Sequence, residues 1–220
     1  IVLLSFLFCY LTLSAQKQVG LYPVAFYNLE NLYDPNSTDE QRDREFSPTG
    51  AKNWTVEKYK KKLANMAHVI SLLAKEYSPS GVAMIGVSEI GNRKVLEDVV
   101  ETGELKGRGY EIIHYDSPDR RGVDVGLLYN PKIFKVTSSH SYPYKLPDNP
   151  KFKTRDHLLV SGIIAGESFH VIVNHWPSRY GAKSSELREH AAALSKHISA
   201  SLYTSDPTAK VVIIGDLTDY

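Results

Sequence analysis

Three apolar runs in this chain each end in a residue that can do chemistry, and this recurrence constrains the fold more than any other feature. Residues 171–173 are Val-Ile-Val, β-branched and suited to a sheet interior, and they lead into Asn174, His175, Trp176, Pro177, Ser178 and Arg179. Residues 211–214, Val-Val-Ile-Ile, lead into Gly215 and Asp216, and residues 82–87 lead into Ser88 and Glu89. A strand end holds such groups rigidly at the rim of a sheet, where ligands of α/β proteins bind. A further strand, residues 22–29, carries Asn28 near its end.

The rest of the pattern alternates strands with helices. Thr55 caps a helix predicted to run to about residue 77, with Leu63, Met66, Ala67, Ile70, Leu73 and Ala74 on one face. Its basic run, Lys58, Lys60, Lys61 and Lys62, reads as a solvated first turn or two. Residues 92–101 form a short helix, and residues 184–202 a longer one with Ala191, Leu194 and Ile198 inward. Strands are expected at 110–115, 123–129 and 133–137, the last two as a meander joined at Asn130-Pro131. Residues 157–165 and 168–173 read as a hairpin through Gly166-Glu167. Residues 30–53 and 142–154 are long polar or Pro-rich loops, where substrate specificity would reside. Hairpins mixed with helical crossovers imply a mixed sheet, or two packed sheets with helices outside. A polar loop following the last strand is a poor domain end, so the sequence is expected to be truncated there, as the missing initiator Met suggests at the other end.

Composition sets the outer bounds. A chain of 220 residues, 42% hydrophobic and 23% charged, fits one soluble domain with a large core. A net charge of +1 provides no global field for nucleic acid, leaving only local patches. Cys9 is the only cysteine, which excludes an intramolecular disulfide and a thiol nucleophile in the mature domain. Residues 1–13 are almost wholly apolar and precede Ser14-Ala15-Gln16, the pattern of a secretory signal and its small-residue cleavage site. The run is short for a membrane span, which needs about 20 residues. Residues 1–15 are therefore expected to be a partial signal peptide, residues 19–220 the domain, and the protein secreted or periplasmic.

Glu89 and Asp216 would be costly at buried strand ends unless paired or bound to a cation. With Asn28 they make an oxygen-donor set that favours Mg²⁺, Mn²⁺ or Ca²⁺ over Zn²⁺. His175 is open to three readings: a metal ligand, a structural histidine, or an acid or hydrogen-bond donor to a developing oxyanion. Asp124, alone among apolar neighbours, is the candidate to orient it. Arg120, Arg121 and Arg179 can fork onto phosphate oxygens, with Asn174 beside them as a further substrate contact. No G-x-S-x-G elbow supports a serine nucleophile.

Five segments together carry a resemblance. They are Phe26-Tyr27-Asn28-Leu29-Glu30-Asn31-Leu32-Tyr33-Asp34, Val87-Ser88-Glu89-Ile90, Arg121-Gly122-Val123-Asp124-Val125-Gly126-Leu127-Leu128-Tyr129, Asn174-His175-Trp176-Pro177-Ser178-Arg179 and Gly215-Asp216-Leu217-Thr218-Asp219. In order and spacing, over residues 22–220, they resemble the endonuclease/exonuclease/phosphatase superfamily, and the N-terminus looks like that of secreted bacterial members. The resemblance implies a four-layer α/β sandwich, with two mixed β-sheets packed face to face and helices outside, incomplete at the C-terminus. It also implies Mg²⁺- or Mn²⁺-dependent cleavage of phosphate esters. Glu89 would be the main metal ligand, helped by Asn28. His175 would donate to the scissile phosphate or the leaving oxygen, Asp216 would position the attacking water or a metal, and Asp124 would orient His175. The family's amide after the last strand is replaced by Thr218; loss of one such donor costs on the order of 100-fold. The family's closing Ser-Asp-His motif is not among these residues, so the 220-residue chain alone is expected to be nearly inactive. The expected activity is a monomeric extracytoplasmic nuclease acting on nucleic acid or another phosphodiester, with no stable protein partner. The alternatives are a lipid or inositol-phosphate phosphohydrolase, a catalytically degenerate phosphate-binding module and, more remotely, a zinc hydrolase built on His157, His175 and His190.

Overall fold

A computed structural model describes residues 20–37, 44–179 and 184–217; the proposed signal segment and Thr218 lie outside these residues. The elements run β1 (Val24–Leu32), α1 (Val56–Leu72), β2 (Met84–Ile90), α2 (Arg93–Val100), a 3-10 turn (Gly103–Leu105), β3 (Glu111–His114), β4 (Asp124–Tyr129), β5 (Lys135–Tyr142), β6 (His157–Ile164), β7 (Glu167–His175), α3 (Ser184–Ser205) and β8 (Lys210–Asp216).

The strands form two four-stranded sheets, ordered β1-β2-β4-β3 and β5-β6-β7-β8. Both are mixed: β1 runs parallel to β2 and β7 parallel to β8, and the other pairings are antiparallel. Side-chain alternation assigns the faces. Met84, Val125, Leu127, Leu158, Val160, Val171 and Val173 fill the space between the sheets. Ile85, Val87 and Leu128 face outward under α1 and α2, and Leu159 and Ile172 face outward under α3. The result is the expected four-layer sandwich. Gly86 lets the sheets close up near the rim, because a Cβ there would sit 2.7 Å from Ile214 Cδ1 and 3.0 Å from Val173 Cγ1. Among the described residues no helix is long and apolar enough to cross a membrane.

Local chemistry sets most boundaries. Thr55 Oγ1 accepts from the Lys58 amide at 3.3 Å and Asn92 Oδ1 from the Val95 amide at 3.1 Å, capping α1 and α2. The β6–β7 hairpin turns on Ala165 and Gly166, both at positive φ (51° and 85°), a two-residue turn whose twist matches its strands. Three expectations are corrected. Helix α1 stops at Leu72, because Leu73 is extended and Ala74 is left-handed (φ 55°). Strand β5 covers 135–142, with Ile133 and Phe134 instead folded back in a turn onto Asn130. Most importantly, β4 and β5 are not a meander: Asn130-Pro131 carries the chain from one sheet to the other.

Candidate active site

The ends of β1, β2, β7 and β8 meet at one rim. Asn28 faces the inter-sheet space, sharing a face with Val24 and Phe26, and Asp216 shares one with Ile214. Asn28 Nδ2 donates to Asp216 Oδ2 at 2.9 Å, across the two sheets. The orientation of the amide is forced, because its Oδ1 accepts the Glu30 N–H at 2.7 Å. Asp216 is the register partner of His175, and the Trp176 amide donates to its carbonyl at 2.9 Å. His175, on the face of Val171 and Val173, places Nε2 3.9 Å from Glu89 Oε1 on the opposite sheet. Glu89 in turn follows Ser88, the register partner of Asn28. An amide, an aspartate, an imidazole and a glutamate thus close a circuit across the sandwich.

Backbone irregularities aim two of these groups. Register against β4 jumps from Ser88 to Ile90, and Glu89 sits at φ 58°. Register of β1 against β2 jumps between Asn28 and Leu32, with Glu30 at φ 51° and Asn31 at φ 60°. Such bulges re-aim side chains, and each left-handed non-glycine residue costs about 1–3 kcal/mol. Lys62 holds the second bulge: its Nζ donates to the Glu30 carbonyl and lies 5.6 Å from the Trp54 ring centroid. Burial lowers the Lys62 pKa, opposed by the carboxylates of Glu30 and Glu89. Lys62 is therefore part of the rim and not of the solvated turn expected for it.

His175 is 5% exposed, and burial, reinforced by the Arg155 and Arg121 guanidiniums, brings its pKa down to about 2. The Glu89 carboxylate at 3.9 Å does not offset these effects. A buried imidazole with a lowered pKa is suited to donate a hydrogen bond as a neutral ring. Its Nδ1 is buried without a hydrogen-bond partner, and its Nε2 faces Glu89 at 3.9 Å. Arg155, which sequence reasoning missed, supports the loop: Nε donates to the His175 carbonyl at 3.1 Å and an Nη to the Trp176 carbonyl at 2.5 Å. Its other Nη donates to Asp119 at 3.1 Å. Asp119 also accepts the Arg121 amide at 2.9 Å, and the Arg121 side chain reaches to 3.7 Å from Glu89.

Two expected site residues lie elsewhere. Asp124 shares its face with Leu128, away from the inter-sheet space, and cannot orient His175. Its oxygens instead accept from the Ser117 amide (2.8 Å) and hydroxyl (2.6 Å) and pair with His114 Nε2 at 3.0 Å. Asn174 is fully buried on the α3 side, donating to the Ile172 and Ile214 carbonyls and accepting from Ser195, so it is a structural residue and not a substrate contact. Arg179 is exposed just past the rim. The zinc alternative fails, because His157 is buried against Ser195 and His190 lines a surface cavity. The one cluster of potential ligand atoms among the described residues, His114, Asp116 and Asp124, includes none of the three.

The arrangement fits a divalent cation. Among the described residues the Glu89 carboxylate has only contacts of 3.7 and 3.9 Å and no hydrogen bond, and Asn28 and Asp216, hydrogen-bonded to each other at the same rim, are further hard oxygen donors. Two mixed four-stranded sheets with helices outside define a four-layer α/β sandwich. The chain belongs to the endonuclease/exonuclease/phosphatase family, whose model matches residues 23–220. Among solved structures it is similar to TDP2 from C. elegans (TM-score 0.54, 15% identity, covering 76% of this chain and 45% of that one). It is also similar to D. rerio TDP2 complexed with single strand DNA product (0.51, 12%, 72% and 55%). A third is ANGEL2, a 2′,3′-cyclic phosphatase, in complex with adenosine-2′,3′-vanadate (0.59, 12%, 89% and 53%). The chain spans about half the length of these structures. No curated protein matches it.

Proposed function

We propose that this chain is the core of an extracytoplasmic, Mg²⁺- or Mn²⁺-dependent phosphodiesterase, most specifically a nuclease. The observation that carries this reading is the circuit of Asn28, Asp216, His175 and Glu89 across the two sheets. Glu89, with Asn28 beside it, would hold the ion, which when bound supplies Lewis-acid polarisation of a phosphoryl oxygen. The neutral Nε2–H of His175 would donate to the developing charge on phosphorus or the leaving oxygen. Asp216, fixed by Asn28, would accept a proton from the attacking water. Arg121, anchored through Asp119, would orient a non-bridging oxygen. The similarity to D. rerio TDP2 with a single strand DNA product supports nucleic acid as the substrate class, and residues 1–15 support export.

The test is hydrolysis of DNA, RNA, sphingomyelin and bis-p-nitrophenyl phosphate by the full-length gene product, with and without EDTA. Nucleic-acid cleavage that EDTA abolishes and that Glu89→Ala and His175→Ala each reduce at least 100-fold supports the reading. Turnover of the lipid alone, or binding without turnover, refutes it; the latter selects a degenerate module with Thr218 as its lesion.

A further inference from the structure

The rim does not end at His175. The sheets are stacked with β1 over β8, β2 over β8 and β7, and β4 over β7 and β6, so the cleft continues past β7 toward β6. Residues 143–156 connect β5 to β6 at the His175 end, since Leu158 is in register with Val173 and Arg155 touches the His175 carbonyl. Across from them lies the turn between β3 and β4, which carries Pro118, Asp119 and Arg121. Residues 143–156 line a cavity of about 460 Å³, to which the turn contributes Pro118. Pro118, Pro143, Tyr144 and Phe152 give it apolar and aromatic walls, and Lys145 and Lys153 stand at its edge. The Tyr144 and Phe152 rings are 5.8 Å apart. Asp156, which lines it, follows Arg155, whose Nε donates to the His175 carbonyl.

We infer that this cavity is a substrate subsite that takes the base of a nucleotide flanking the scissile phosphate in a single-stranded nucleic acid, with Lys145 and Lys153 on its phosphates. This rests on the hydrolase reading above and adds a specificity element to it. The walls suit a flat ring, because any base can stack on an aromatic or proline face, and only an unpaired base can leave its stack to enter. The charge suits a polyanion. Both lysines are exposed and neither forms an ion pair among the described residues, and Arg121, three residues after the lining Pro118, reaches to 3.7 Å from Glu89. The one carboxylate lining the cavity, Asp156, is buried and already accepts from Ser141 and the Tyr144 amide. A larger cavity, about 700 Å³ beside α3, is lined by Asp148, Glu186 and Glu189 and repels phosphate.

The experiment uses the full-length gene product and a fluorescein-labelled single-stranded oligonucleotide. Binding is followed by polarisation in EDTA across a salt series, and turnover with Mg²⁺ is compared with that of bis-p-nitrophenyl phosphate, which carries no flanking phosphate for the two lysines. Phe152→Ala weakens oligonucleotide binding about ten-fold. Lys145→Ala/Lys153→Ala flattens the slope of log affinity against log salt by about 1.4, or ~0.7 per phosphate contact on a single strand. Both variants lower the ratio of oligonucleotide to small-substrate kcat/KM about ten-fold. An unchanged salt slope in the lysine variant overturns the subsite. So does weakened binding of sphingomyelin vesicles with oligonucleotide binding intact. If the wild type hydrolyses neither substrate, the hydrolase reading fails while the salt slope still decides the subsite.

Discussion

Arg155 is the residue on which the geometry of His175 depends, and its removal gives the sharpest test of the rim. The guanidinium is 7% exposed, donates to two backbone carbonyls of the His175 loop and pairs with Asp119, which is 4% exposed. Breaking a buried pair by deleting one partner costs about 3–5 kcal/mol, because the other charge is left unpaired. Arg155→Ala also orphans the His175 and Trp176 carbonyls, so its cost falls at the upper end of that range. At ~2–4 °C per kcal/mol for a domain of this size, the melting temperature drops by about 10–20 °C. Asp119→Ala is milder, since Arg155 keeps its two carbonyl acceptors. Because the two residues share one network, Arg155→Ala/Asp119→Ala destabilises by about 1.5–3 kcal/mol less than the sum of the single variants. Urea denaturation of the four proteins measures this coupling. Additivity within ~0.5 kcal/mol would mean that the pair does not form in solution, and the account of how His175 is held would be wrong. Arg155→Lys supplies a control. It keeps the charge but loses the fork, so it should recover much of the stability while leaving activity depressed.

Other consequences are measurable without a substrate. Burial drives the His157 pKa to about 4 and the His175 pKa to about 2. Both imidazoles stay neutral in the folded chain while the unfolded chain takes protons below about pH 6.5, so stability falls as pH drops from 6.5. The slope should be about 1.4 kcal/mol per pH unit for each histidine. His157→Gln should halve this two-histidine slope of the urea midpoint between pH 6 and 4.5, and an unchanged slope would show that His157 is not buried as a neutral ring. Mg²⁺ at 100 times its dissociation constant should stabilise the metal-free protein by about 2.7 kcal/mol, seen as a higher melting temperature. Glu89→Ala should abolish that increment; an equal increment in the variant would place the ion elsewhere. Gly86→Ala should cost about 1–3 kcal/mol by wedging the sheets apart against Ile214 and Val173, and a neutral result in denaturation would show that the sheets are not closed up there.

Much of this was legible in the sequence because apolar strands with polar ends are a strong signal, and side-chain parity could have sharpened it. In β7, Val171, Val173 and His175 share the inter-sheet face, while Ile172 and Asn174 face α3. Alternation alone separates His175 from Asn174, and it likewise puts Asp124 on the outer face with Leu128. Pairing partners were less accessible. Asn130-Pro131 marks a turn whether the next strand joins the same sheet or the other one, and only the core on both sides decides that. A charged residue just before a strand, such as Arg155, reads as loop until its distant partner Asp119 is known.

Parity fails at the most important residue. Ile85 and Val87 face the helices, so strict alternation would send Glu89 outward with them, onto the face of sheet one opposite His175. A regular strand would therefore leave Glu89 and His175 separated by the thickness of a sheet, whereas Oε1 and Nε2 lie 3.9 Å apart. The left-handed backbone at Glu89 and the register jump beside it bring the carboxylate to the inter-sheet side. Nothing local announces this, because the residue is neither glycine nor asparagine, the types that commonly adopt φ > 0. The sequence names the glutamate, but a strained backbone, held in place by the strands around it, turns a pair of strand ends into one site.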